Sequence, residues 1–275
     1  MGGCGTRAGI RAVRPITRTA SVGLLAFCLW MLTPADAGAA DLQIVYNPAA
    51  AREADDARVF IEDEGITQTV SALINENFNL RSPLTLVMGS NRGPAFEEAA
   101  DEIHMPYEFV FDIAERFNSD SLSGSGADIY EVTRDAYLHA LMHQISHALF
   151  AMYDLRTSGN TEKAVDALAI LLLIRYYENG GDIVMHAAEL FVDESGSGAG
   201  TRSGSDFWTI HELDRQSYNQ ALCLVYGSDP QRYGNLRARS EFLQIRDQEC
   251  AREYQRQVSA WFRVLGSFLK RSPPG

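Results

Sequence analysis

The 275-residue chain carries 24 basic and 36 acidic residues, a formal charge of −12, and is 46% hydrophobic. Phosphate binding needs clustered basic side chains, so this balance excludes nucleic acid as a partner. Beyond the first 40 residues the chain suits one domain with a sizeable core, and no later segment is long and apolar enough to span a bilayer.

Arg7, Arg11, Arg14 and Arg18 form a basic stretch without acids, followed by the apolar run "ASVGLLAFCLWML" and then by Pro34, "ADA" and "GAA". This is the pattern of a secretory signal peptide over residues 1–40, with cleavage after Ala37 or Ala40. Phe27 before Cys28 argues against a lipoprotein signal. The expectation is an exported chain, periplasmic or secreted. Without residues 1–40, which hold four Arg and one Asp, 20 basic and 35 acidic residues remain, for a charge of −15. Cys4 and Cys28 leave with the signal. Cys223 and Cys250 remain, and in an oxidising compartment they most simply form one disulfide, the alternative being two buried thiols.

"LQIVYN" (42–47) reads as a strand, "EGITQTVSALINENFNL" (64–80) as a helix and "LTLVMGS" (84–90) as a second strand. "DEIHMPYEF" (101–109) reads as a short strand running into a helix. Residues 119–128 and 195–205, rich in Ser and Gly, read as loops. A long helix is expected from Tyr130 to Asp154. Helices follow over "TEKAVDALAILLLIRYYENGG", stopped by Gly180-Gly181, over "DIVMHAAELFVDE", over "HELDRQSYNQALCLVYG", and from about Ile245 to Leu269. Residues 271–275 read as a tail. Strands first and helices afterwards indicate an α+β domain over residues 41–270.

The chemistry gathers in "LMHQISHALF" (141–150). Residues i and i+4 lie one above the other on a helix, about 40° apart around its axis, so His143 and His147 can address one ion. His139 stands about 80° from His147, so all three cannot easily share it. Downstream, Glu162 and Asp166 form a second i,i+4 pair on an apolar helix. Glu162 could supply a third ligand, and Asp166 could accept the free N–H of a ligand histidine and hold its tautomer. Each pair alone is as well explained by a solvated or packed helix face. His104 and His186 read as structural or surface residues.

The chain resembles a family of exported bacterial proteins assigned to the zinc metallopeptidases, of the H-E-x-x-H, zincin-like type. The stretches that carry the resemblance are "HQISHALF", "EKAVDALA", "HELDRQSYNQALCLVYGSDP" and "RDQECAREY", within about Thr85 to Leu269. It implies a zincin-like fold with a small mixed sheet, an active-site helix and a helical C-terminal part. It implies zinc as cofactor, His143, His147 and Glu162 as ligands, and Asp166 behind them. His211 is implied as a transition-state donor, Cys223 and Cys250 as paired cysteines, and a peptide or protein as substrate. By the same analogy, the strand in 101–109 stands where zincins present an edge strand to an extended peptide.

Two residues depart from the family pattern. Ser146 replaces a glycine, with local consequences expected. Gln144 replaces the glutamate that serves as general base. Its amide has nearly the same shape but accepts no proton at any useful pH. The sequence therefore supports a zinc peptidase with impaired catalysis or, alternatively, a pseudopeptidase that keeps zinc and binds peptides or a protein partner. A domain without metal ranks last. His139, Glu131 and Asp135, on the same helix, are the candidates for a substitute base.

Overall fold

Strands β1 (Leu42–Tyr46) and β2 (Leu84–Met88) alternate in burial, and β2 turns Leu84, Leu86 and Met88 into the core. A computed structural model describes residues 41–119, 128–157, 159–191, 215–238 and 247–272. The expected signal peptide, the loop 195–205, most of the loop 119–128, and His211 lie outside these residues. β1 pairs in parallel with β2, and β2 in parallel with β4 (Glu102–Met105). The three-residue strand β3 (Ala95–Glu97) pairs antiparallel with β4, giving the order β1-β2-β4-β3.

This order corrects one expectation. The strand within 101–109 is paired on both sides, so it is not the edge. The edge beside the long helix is β3, which is too short to show a period of two. Its placement depends on the turn before it. Arg92 Nη2 donates to His104 Nε2 at 2.8 Å, which leaves Nδ1–H to donate to Ser90 Oγ at 3.1 Å. Burial and the Arg92 charge lower the His104 pKa and keep the ring neutral. His104 is thus structural, fastening the β2–β3 turn to β4. At Gly89, φ is +68° and an added Cβ would lie 2.1 Å from the Tyr107 ring, so no side chain fits there.

Helices α1 (Arg52–Asp63) and α2 (Ile66–Asn77) meet at Gly65, whose φ of +62° breaks the two apart. Only the second is evident in the sequence. The first buries Ala54, Ala57 and Ile61, a stripe too small to stand out from its charged surroundings. Helix α3 (Glu108–Ser119) leads to α4 (Ile129–Tyr153), capped by Asp128, which accepts from the Tyr130 N–H. α4 is buried on almost every side and packs against α3, the sheet, and two further helices, α5 (Thr161–Tyr176) and α6 (Gly180–Phe191). A helix covered all round forms the centre of a domain rather than its surface.

Two more helices, α7 (Arg215–Ser228) and α8 (Asp247–Leu265), complete the helical part and are joined by a disulfide between Cys223 and Cys250. They approach so closely at Gly227 that a Cβ there would lie 2.3 Å from the Cys250 carbonyl oxygen. The chain end returns to the first half through a bridge between Phe78 and Leu269 and the stacked rings of Tyr153 and Phe268, 3.9 Å apart. The eight helices described and the small mixed sheet make the fold α+β, as expected. No described helix is long and apolar enough to cross a membrane.

The disulfide closes a separation of 27 residues. The chain-entropy relation makes that worth about 3–4 kcal/mol. Denaturant unfolding of the Cys223→Ala/Cys250→Ala variant is expected to show a loss of that size. An unchanged midpoint would mean that packing between α7 and α8 suffices alone.

Candidate metal centre

The long helix delivers two imidazoles to one point. His143 and His147, one turn apart on α4, bring their Nε2 atoms within 3.0 Å. Glu162 arrives from the first turn of α5, where Asn160 caps the helix by accepting from the Glu162 and Lys163 N–H groups. A carboxylate is favoured at that end by the helix dipole. Glu162 Oε2 lies 3.6 Å from His143 Nε2 and 3.4 Å from His147 Nε2. Three potential donor atoms thus form a nearly equilateral triangle, and the group is one of those able to hold a metal ion.

Behind the triangle, His143 Nδ1 donates to Asp166 Oδ1 at 2.7 Å. Asp166 is one helical turn beyond Glu162, so both carboxylates reach His143 from the same face of α5. The bond assigns the proton of a neutral His143 to Nδ1 and turns the lone pair of Nε2 toward the triangle. Without a bound ion the balance changes. Burial pulls the His143 pKa down, but the bonds to Asp166 and Glu162 outweigh it and push it up to about 9. The same contacts with His143 and His147 hold Glu162 far below the usual carboxylate range. A proton and a metal ion therefore compete for this centre.

Gln144 follows the first ligand position and is only 2% exposed. Its Nε2 is buried without a hydrogen-bond partner among the described residues. Ser146 is fully covered and donates to the Met142 carbonyl at 2.9 Å, a contact within its own helix.

The candidates for a substitute base fare poorly. His139 is buried, and desolvation drives its pKa down to about 4, the opposite of what a base requires. Glu131 and Asp135 lie twelve and eight residues before His143, about 18 and 12 Å along the helix at 1.5 Å per residue. Asp135 is fully buried and bonded to Arg134 and to His186. This last pair is absent from the sequence reading. Its available signal was the spacing of Glu131 and Asp135, the same i,i+4 step as Glu162 and Asp166. His211, expected to join the centre, lies outside the described residues.

No curated protein and no solved structure matches the chain. A family described as "Putative metallopeptidase" matches residues 46–265, a span that includes strands β2 to β4, the triangle of His143, His147 and Glu162, and the disulfide. With four-fifths of its length covered by that match, the chain belongs to this metallopeptidase family.

Proposed function

We propose that the chain is an exported, zinc-dependent metallopeptidase whose hydrolytic step is impaired. His143, His147 and Glu162 are the zinc ligands, and Asp166 orients His143. The observation that carries this reading is the triangle of sides 3.0, 3.4 and 3.6 Å. Ligand atoms ~2.0–2.1 Å from a tetrahedral centre stand about 3.3 Å apart, so the donor set suits zinc in spacing as well as in type. Three protein ligands with a fourth position open is the composition of a catalytic rather than a structural zinc site. Bound zinc would polarise a peptide carbonyl and acidify a water molecule.

The remaining roles fall to the chain. The base position next to His143 is held by Gln144, which can donate or accept a hydrogen bond but takes up no proton. Loss of a general base costs ~10²–10⁴-fold in rate. The free side of β3, an edge strand packed against α4, offers main-chain groups to an extended peptide by β-augmentation. The N-terminal signal pattern and the disulfide support action outside the cytoplasm. His211 remains a candidate transition-state donor on the strength of its motif.

A second reading has an observation in its favour. The buried Gln144 amide leaves the centre without a proton acceptor at that position, and His139 is too weak a base to replace it. On this reading the chain is a pseudopeptidase that keeps zinc and binds a peptide or protein partner.

Two measurements test these readings. Zinc takes neutral imidazole, whereas His143 with a pKa of about 9 holds a proton at pH 7. Binding at pH 7 is therefore expected to release about one proton from His143, and apparent affinity to fall about tenfold for each unit of pH below 9. Calorimetry in buffers of different ionisation enthalpy counts that proton. Asp166→Asn should reduce the release, and a pH-independent affinity would contradict the coupling. In a peptidase assay, wild type is expected to turn over negligibly and Gln144→Glu to gain about 10²-fold or more. Strong wild-type activity that His143→Ala abolishes and Gln144→Glu leaves unchanged would mean that another base operates.

A further inference from the structure

Helix α4 carries a second pair at i,i+4, Glu131 and Asp135, two turns before the histidines. α6 packs along this part of α4 and brings His186 to it. The ligand atoms of Glu131, Asp135 and His186 all lie within 4.8 Å of one another. The closest approach is His186 Nδ1 to Asp135 Oδ2, 2.7 Å.

We propose that Glu131, Asp135 and His186 form a second divalent-cation site, separate from the first, whose ion clamps α6 onto α4. The construction repeats that of the first centre: two side chains one turn apart on α4, and a third from a neighbouring helix. Asp135 is fully buried, and its two oxygens have different tasks. Oδ1 accepts from Arg134 Nε at 3.0 Å and Nη2 at 2.8 Å, which leaves Oδ2 for the site. A carboxylate ligand fixed by an outer hydrogen bond is the usual arrangement at metal sites.

Charge supports a cation here. Glu131 and Asp135 belong to the site, and Glu64 lies 3.7 Å from Arg134. Within the site itself the two carboxylates of Glu131 and Asp135 face one guanidinium, that of Arg134, and a divalent ion adds positive charge between them. Two carboxylates with one imidazole suit Mn²⁺ or Zn²⁺ better than Ca²⁺ or Mg²⁺, which prefer oxygen alone. Asp135 stands eight residues before His143, about 12 Å along the helix, whereas paired catalytic ions sit ~3.5–4 Å apart. The second ion is therefore structural.

The test uses the full chain stripped of metal and titrated with Mn²⁺ or Zn²⁺. His143→Ala/His147→Ala, which removes the first centre, is expected to retain one equivalent, and its thermal midpoint to rise as that ion is added. In this background His186→Asn should abolish binding. Glu131→Gln, at a side chain that is half exposed and safe for folding, should weaken it at least tenfold. The Mn²⁺ form should show imidazole nitrogen coupling by electron spin echo, lost in His186→Asn. If the double variant folds poorly, stoichiometry in the native background decides: two equivalents in the wild type, and one in Glu131→Gln/His186→Asn. Absence of binding in a folded His143→Ala/His147→Ala protein would overturn the proposal and leave Arg134, Asp135 and His186 as an ion-pair cluster alone. So would binding that neither Glu131→Gln nor His186→Asn weakens.

Discussion

Asp166 accepts from His143 at 2.7 Å in the interior of the molecule, and the centre depends on that contact. α4 is surrounded by α3, α5, α6 and the sheet, so a histidine on it loses its hydration on folding. Desolvation alone would leave His143 as weakly basic as His139, one turn away, which falls to about 4. The carboxylates of α5 reverse that outcome at His143 and raise it to about 9. The same bond aims Nε2 at the point where His147 and Glu162 converge. Packing of α5 on α4 and preparation of the centre are thus one event, and a variant that loosens one loosens the other.

The neighbouring glutamine changes the chemistry without disturbing this framework. Gln144 fits the buried place of a glutamate and leaves the spacing of the donor atoms to α4 and α5. What it removes is a group able to take up a proton beside the open position. His143, His147, Glu162 and Asp166 stand together around a glutamine that takes up no proton, so on the proposed reading metal binding and hydrolysis become separable properties.

Much of this arrangement is readable from residue spacing. His143 and His147, Glu162 and Asp166 are i,i+4 pairs in apolar helices, and the period of a helix dictates which side chains align. β1 and β2 show in the same way, because each alternates in burial, whereas α4 shows as a long, largely apolar run that is buried all round. The parts that escape are set by long-range contacts. β3 is a three-residue strand held by Arg92, Ser90 and His104, and local pattern carries no trace of it. α1 buries alanines, whose hydrophobic signal is small beside its charges. His186 meets Asp135 across a separation of 51 residues, so neither reveals the other in sequence.

X-ray absorption at the zinc edge tests the central claim most directly, on the chain loaded with one equivalent of zinc. The account predicts nitrogen and oxygen neighbours at ~2.0–2.1 Å with the multiple-scattering signature of two imidazoles. That signature should fall to one imidazole in His143→Ala and persist at two in His186→Asn. A shell without imidazole, or one unchanged by His143→Ala, would contradict the account.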